Sequence, residues 1–90
     1  MDKSNEIFES AVDYHKKNDL INAEKNYREY LKTNPKNSQC LFTLGTLLIQ
    51  KMQYKDAIVE LKKSTKEDSK NYHCFQNLGI AYFEDKQFDN

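Results

Sequence analysis

Displaced by 34 residues, the sequence falls back on itself. That shift aligns Lys36 with Lys70, Asn37 with Asn71, Cys40 with Cys74, Leu44 with Leu78, Gly45 with Gly79 and Gln53 with Gln87. Leu41/Phe75, Leu48/Tyr82 and Tyr54/Phe88 match in apolar character. The same shift one unit upstream aligns Ala11 with Gly45, Tyr14 with Leu48, Leu20 with Tyr54, Ala23 with Ala57 and Tyr27 with Leu61. A period of this length is one supersecondary unit that cannot bury its apolar face alone, so successive units must stack. The expected division is a single domain over 1–90, made of units 4–37 and 38–71 and a partial unit 72–90.

Each unit reads as two helices. Leu41, Leu44, Gly45 and Leu48 fall at i, i+3, i+4 and i+7, one face of a 3.6-residue period. Tyr54, Ala57, Ile58 and Leu61 repeat that spacing after a break at Lys51-Met52-Gln53. In the first unit the stripes are Ile7, Ala11, Tyr14 and then Leu20, Ala23, Tyr27, Tyr30, Leu31. Asn37 and Ser38 suit an N-cap, and Asn34-Pro35 stops the helix before it. The pattern predicts helices over 4–16, 20–32, 38–51, 54–67 and 72–85. Two glycines and one proline among 90 residues leave little turn chemistry for a β fold. The fold class is therefore all-α, a helix–turn–helix repeat solenoid of about two and a half units.

Gly45 and Gly79 recur inside these helices, where glycine costs about 1 kcal/mol relative to alanine. Recurrence at one place in two units implies close approach of the paired helices there, with Ala23 and Ala57 as the small residues on the facing helices.

Composition narrows the function. Fourteen Lys+Arg balance fourteen Asp+Glu, so the chain lacks the basic excess of a nucleic-acid binder. The most apolar stretch, Cys40 to Ile49, is about half a membrane span and is interrupted by Thr43, Gly45 and Thr46. No membrane association is expected. No apolar leader precedes the first unit and two cysteines make no disulfide framework, which points to a reducing, cytoplasmic compartment.

These residues resemble the tetratricopeptide repeat, whose 34-residue helix–turn–helix unit follows a W-x2-L-G-x2-Y…A-x3-F…P pattern. The second unit is similar through Leu41, Leu44-Gly45, Leu48, Ala57 and Leu61, and the third through Phe75, Leu78-Gly79 and Tyr82. The first is similar through Ile7, Ala11, Tyr14, Ala23, Tyr27 and Pro35, with Ser10 in place of leucine. The second departs from the pattern with Ser64-Thr65 for Ala-Leu and Ser69 for proline, so its second helix is expected to fray at its end.

The resemblance implies a protein–protein interaction module, a scaffold or adaptor whose first helices line a concave groove. Its second implication is a substrate-recruiting arm at the N-terminus of a larger enzyme, such as a bacterial glycosyltransferase or sulfotransferase. No catalysis is expected from these residues themselves. Carried onto this chain, the peptide-binding positions are Phe8, Val12, His15, Phe42, Thr46, Ile49, His73, Asn77, Ile80 and Phe83. Apolar anchors fringed by amides and hydroxyls suit a protein or peptide partner. Chaperone-binding members grip a C-terminal carboxylate with lysine, asparagine, asparagine, lysine and arginine. Those places hold Phe8, Val12, Thr43, His73 and Asn77, so one amide is present and no lysine or arginine, and a carboxylate needs charge-assisted donors. Sugar-transferase superhelices carry a backbone-binding asparagine in successive units; the matching residues are Glu9, Thr43 and Asn77.

Other chemistry finds little support. His15 and His73 lie in different units without a metal-ligand set around them, so neither metal nor cofactor is expected. Cys40 and Cys74 read as small buried hydrophobes one unit apart, too far to bridge. The run Lys62, Lys63, Lys66 and Lys70 is interspersed with Glu60, Glu67 and Asp68, the pattern of a solvated outer face. The partial third unit leaves Phe75, Leu78, Tyr82 and Phe88 without the second helix that would cover them. An uncovered apolar stripe implies either a continuing repeat protein or self-association through that face.

Overall fold

The structure, a computed structural model, describes residues 3–88. The side chains of Ser4 and Phe88 lie outside that description, and with them the place of Phe88 on the expected uncovered stripe. So do Asp89 and Asn90, the end of the partial third unit.

Five helices follow one another: α1 (Lys3–Lys16), α2 (Leu20–Thr33), α3 (Ser38–Gln50), α4 (Tyr54–Glu67) and α5 (Tyr72–Phe88). The first four lie where the apolar stripes place them, and α5 runs on past the expected 85. No strand occurs among the described residues. α1 pairs with α2 and α3 with α4, while α2–α3 and α4–α5 contacts join the hairpins. The result is elongated, 47 × 28 × 19 Å.

The turns repeat as the sequence does. Within each hairpin, the N–H of Asp19 donates to Tyr14 O at 2.9 Å and that of Gln53 to Leu48 O at 2.8 Å. This six-residue closure needs a left-handed residue just past the helix. Asn18 (φ 62°) and Met52 (φ 61°) supply it. Between hairpins, Asn37 Oδ1 accepts the Cys40 N–H at 2.9 Å and Asn71 Oδ1 the Cys74 N–H at 3.2 Å. Asn37, rather than Ser38, is thus the N-cap of α3.

The core is one cluster built on Ala11, Ala23, Tyr27, Cys40, Leu44, Leu47, Leu48, Ala57 and Leu61. The small residues let the helices close on one another. A Cβ added to Gly45 would sit 2.5 Å from Leu61 Cγ and Cδ2, so Leu61 fills the space that glycine leaves. The close approach expected at Gly79 is absent: a Cβ there meets nothing within 4 Å. Its helix partner would be a second helix of the third unit, and none is present among the described residues.

Both cysteines are buried and free, and each thiol donates to a carbonyl of the preceding helix. Cys40 Sγ reaches Tyr27 O at 3.5 Å and Cys74 Sγ reaches Leu61 O at 3.6 Å, the same bond one unit on. Ser64, the departure from the repeat pattern, is fully buried, and its hydroxyl donates to Ser38 O at 2.9 Å. That bond ties the last turns of α4 to the start of α3, and α4 continues to Glu67.

Candidate functional site

The first helices of the three units lie side by side, joined by two side-chain bridges. Between α1 and α3, the His15 imidazole is held at both nitrogens, by the Tyr27 hydroxyl on Nδ1 at 3.0 Å and by Gln50 Oε1 at Nε2. Gln50 Oε1 only accepts, so Nε2 is the donor of that pair. Between α3 and α5, Asn77 Nδ2 donates to Thr46 Oγ1 at 3.0 Å, while Thr46 itself donates to Phe42 O at 2.9 Å. His15, Thr46 and Asn77, three of the expected binding residues, are therefore brought onto one face by bonds that run across units.

The apolar members divide. Phe8, Val12, Phe42 and Ile49 are half-buried and pack against the core rather than standing free. Phe8 meets Tyr30 and Tyr27 edge-on, with ring centroids 5.0 and 6.0 Å away. On α5, Ile80 and Phe83 are 46% and 61% exposed, and His73 is exposed with its ring against Tyr72 at 5.2 Å. The face has a floor of half-buried rings and branched side chains under α1 and α3, and a projecting apolar edge on α5. A recess of about 180 Å³ opens at one end, lined by Asn5, Phe8, Glu9, Tyr30, Asn37 and Gln39.

A charged seam, which sequence reasoning missed, runs along the second helices. Glu24 on α2 accepts from Lys51 at 2.8 Å and from Arg28 at 2.8 Å. Arg28 lies 4.0 Å from Glu60 on α4, which also faces Lys63 at 3.6 Å. Burial alone would raise the Glu24 pKa; the hydrogen bonds from Lys51 and Arg28, with their charges, outweigh it and hold the carboxyl below the usual range. The spacing Glu24/Arg28 is a readable i,i+4 pair, but the links to Lys51 and Glu60 depend on how the hairpins stack.

The cysteines are poor nucleophiles. Burial, helped by the Glu60 charge, pushes the Cys40 thiol up to about 12, and burial raises Cys74 as well. No cluster of three or more His, Cys, Asp or Glu able to hold a metal ion occurs among the described residues. No described helix is long and apolar enough to cross a membrane.

Residues 26–59 match the tetratricopeptide repeat family profile, a window from the middle of α2 through α3 into α4. Among 29 matching chains of solved structures is the yeast Sti1 TPR2B-domain:pHsp70 complex. It superposes with a TM-score of 0.87 at 23% identity, over 97% of this chain and 70% of that one. No curated protein sequence matches significantly. The chain carries a tetratricopeptide repeat and has the fold of a tetratricopeptide-repeat domain.

Proposed function

We propose that this domain is a protein-interaction module that holds a peptide segment of a partner protein against the face formed by α1, α3 and α5. The residues in contact are Phe8, Val12, His15, Phe42, Thr46, Ile49, His73, Asn77, Ile80 and Phe83. The observation that carries the reading is the exposure of Ile80 and Phe83 beside the Thr46–Asn77 bridge. Two apolar side chains stand in water next to polar groups able to bond a peptide backbone, the combination found in binding anchors. Support also comes from the fold match, because the Sti1 TPR2B domain is itself in complex with pHsp70.

The mode differs from a carboxylate grip. Phe8, Val12 and Thr43 stand where that grip needs charge or amide donors, and His73 stands on a ring contact with Tyr72. The partner is therefore an internal apolar segment rather than a free C-terminus.

Selection from a random peptide library tests this. Selected peptides should share spaced apolar anchors and should bind at least tenfold more weakly to Ile80→Glu/Phe83→Glu, with Lys66→Glu on α4 as the unaffected control. Equal binding to the double variant would remove the α1/α3/α5 face from consideration.

A further inference from the structure

The recess at the end of the α1/α3/α5 face differs in chemistry from the middle of that face. α3, the middle helix, contains no charged residue. The recess has one carboxylate, that of Glu9, beside the exposed amides of Asn5 and Gln39 and the rings of Phe8 and Tyr30. Glu9, Asn5 and Gln39 make no side-chain hydrogen bond or ion pair among the described residues, and Lys36, next to Asn37 in the chain, makes none with Glu9.

The wall behind these free groups is already fixed. Asn37 spends Oδ1 on the Cys40 N–H at 2.9 Å and donates from Nδ2 to the buried Tyr30 hydroxyl at 2.9 Å. The Phe8 ring stands edge-on to that of Tyr30 at 5.0 Å. The volume, about 180 Å³, is below the ~300–1,000 Å³ of small-molecule clefts and suits one side chain. A carboxylate and amide oxygens accept, and an aromatic ring attracts a cation. The side chain that answers all three is a guanidinium: planar, always charged, rich in N–H donors and without an acceptor.

We infer that this recess seats an arginine of the bound peptide, with Glu9 as the residue that selects it. The inference rests on the reading that a peptide lies along this face, and it adds a spacing. Phe83 occupies the repeat position of His15, six residues beyond that of Glu9, a rise of about 9 Å. Two helix spacings of about 8–10 Å separate α1 from α5. The diagonal is about 20 Å, which an extended peptide covers in about six residues.

Fluorescein-labelled peptides from the library selection are the probe, on the full chain. Arginine should be enriched at that spacing from the apolar anchors. Replacing it with citrulline keeps the shape and removes the charge. Citrulline in the peptide and Glu9→Gln in the protein should each weaken binding at least fivefold, and together no more than either alone, with the melting temperature of Glu9→Gln unchanged. Additive losses would place the arginine elsewhere and overturn the inference. Apolar anchors selected without arginine would overturn it too, yet leave the reading of the face standing. Failure of that reading registers in a different variant, Ile80→Glu/Phe83→Glu, whose unchanged binding would remove the inference as well.

Discussion

Leu61 occupies the space over Gly45 so fully that an added Cβ would lie 2.5 Å from its Cγ, while Gly79, one unit on, has no neighbour within 4 Å of the same point. One residue type at one repeat position is therefore under opposite constraints. Gly45→Ala should gain about 1 kcal/mol of helix propensity and lose more by displacing a buried leucine, since overpacking costs about 1–3 kcal/mol. A net fall in stability is expected. Gly79→Ala carries only the propensity gain and should stabilise by about 0.5–1 kcal/mol. Urea titration of the two variants checks both signs.

Met52 holds the left-handed conformation that closes the α3–α4 turn, and it does so with a side chain that is 60% exposed. A non-glycine residue there costs about 1–2 kcal/mol. Met52→Gly removes that cost and gives back part of it in unfolded-state entropy, so a gain of about 0.5–1 kcal/mol is expected. Met52→Asn should also stabilise, because Asn18 already serves the same turn in the first hairpin. Thermal unfolding of both variants should show a rise of a few degrees; a fall in Met52→Gly would mean that the side chain packs more than its exposure implies.

The helices were legible because each buried stripe repeats at both 3–4 and 34 residues, so local period and internal repeat agree. The site was legible only in part. Expected groove residues Phe42 and Ile49 are half-buried because α3 touches α2, α4 and α5, which leaves it a narrow free strip, while on α1 Phe8 is half-buried against Tyr27 and Tyr30 of α2 and Val12 against the core. Ile80 and Phe83 on α5 stay exposed, with no ring of a neighbouring helix among the described residues packed over them as Tyr27 and Tyr30 pack on Phe8. Met52 carries no turn signal in its residue type, and the His15–Gln50 and Ser64–Ser38 bonds join residues 35 and 26 positions apart, so neither has a local signature.

Cys40 and Cys74 should resist alkylation in the folded state, since the thiolate is the reactive form and burial disfavours it. Maleimide labelling followed by mass spectrometry should find both thiols unmodified in buffer and both modified in urea. Their titration also bears on alkaline stability. The ordinary Cys40 value is 9.0 and the folded value about 12, so between those pH values the unfolded chain releases a proton that the folded chain keeps. The stabilisation is complete below pH 9 and is lost as pH rises towards 12, at up to about 1.4 kcal/mol per pH unit. Cys40→Ala should flatten this alkaline slope; an unchanged slope would place the titration elsewhere, with Tyr27, whose phenol burial also raises, as the next candidate.

At the acid end the sign reverses for Glu24. Its carboxyl is held below the ordinary range by Lys51 and Arg28, against the opposing effect of burial, so its contribution is present above the unfolded value of 4.5 and fades as pH falls through the folded one. The Glu24–Lys51 bond links α2 to the turn after α3, and it therefore acts between hairpins rather than within one. A double-mutant cycle with Glu24→Gln and Lys51→Met should give a coupling of about 0.5–1 kcal/mol at pH 7 that declines as the pH is taken below 4.5 and the carboxyl protonates, with the acid-side slope of stability shallower in Glu24→Gln. A coupling that shows no decline with pH anywhere on the acid side would show that the pair is held by packing of the lysine stem on α2, not by charge.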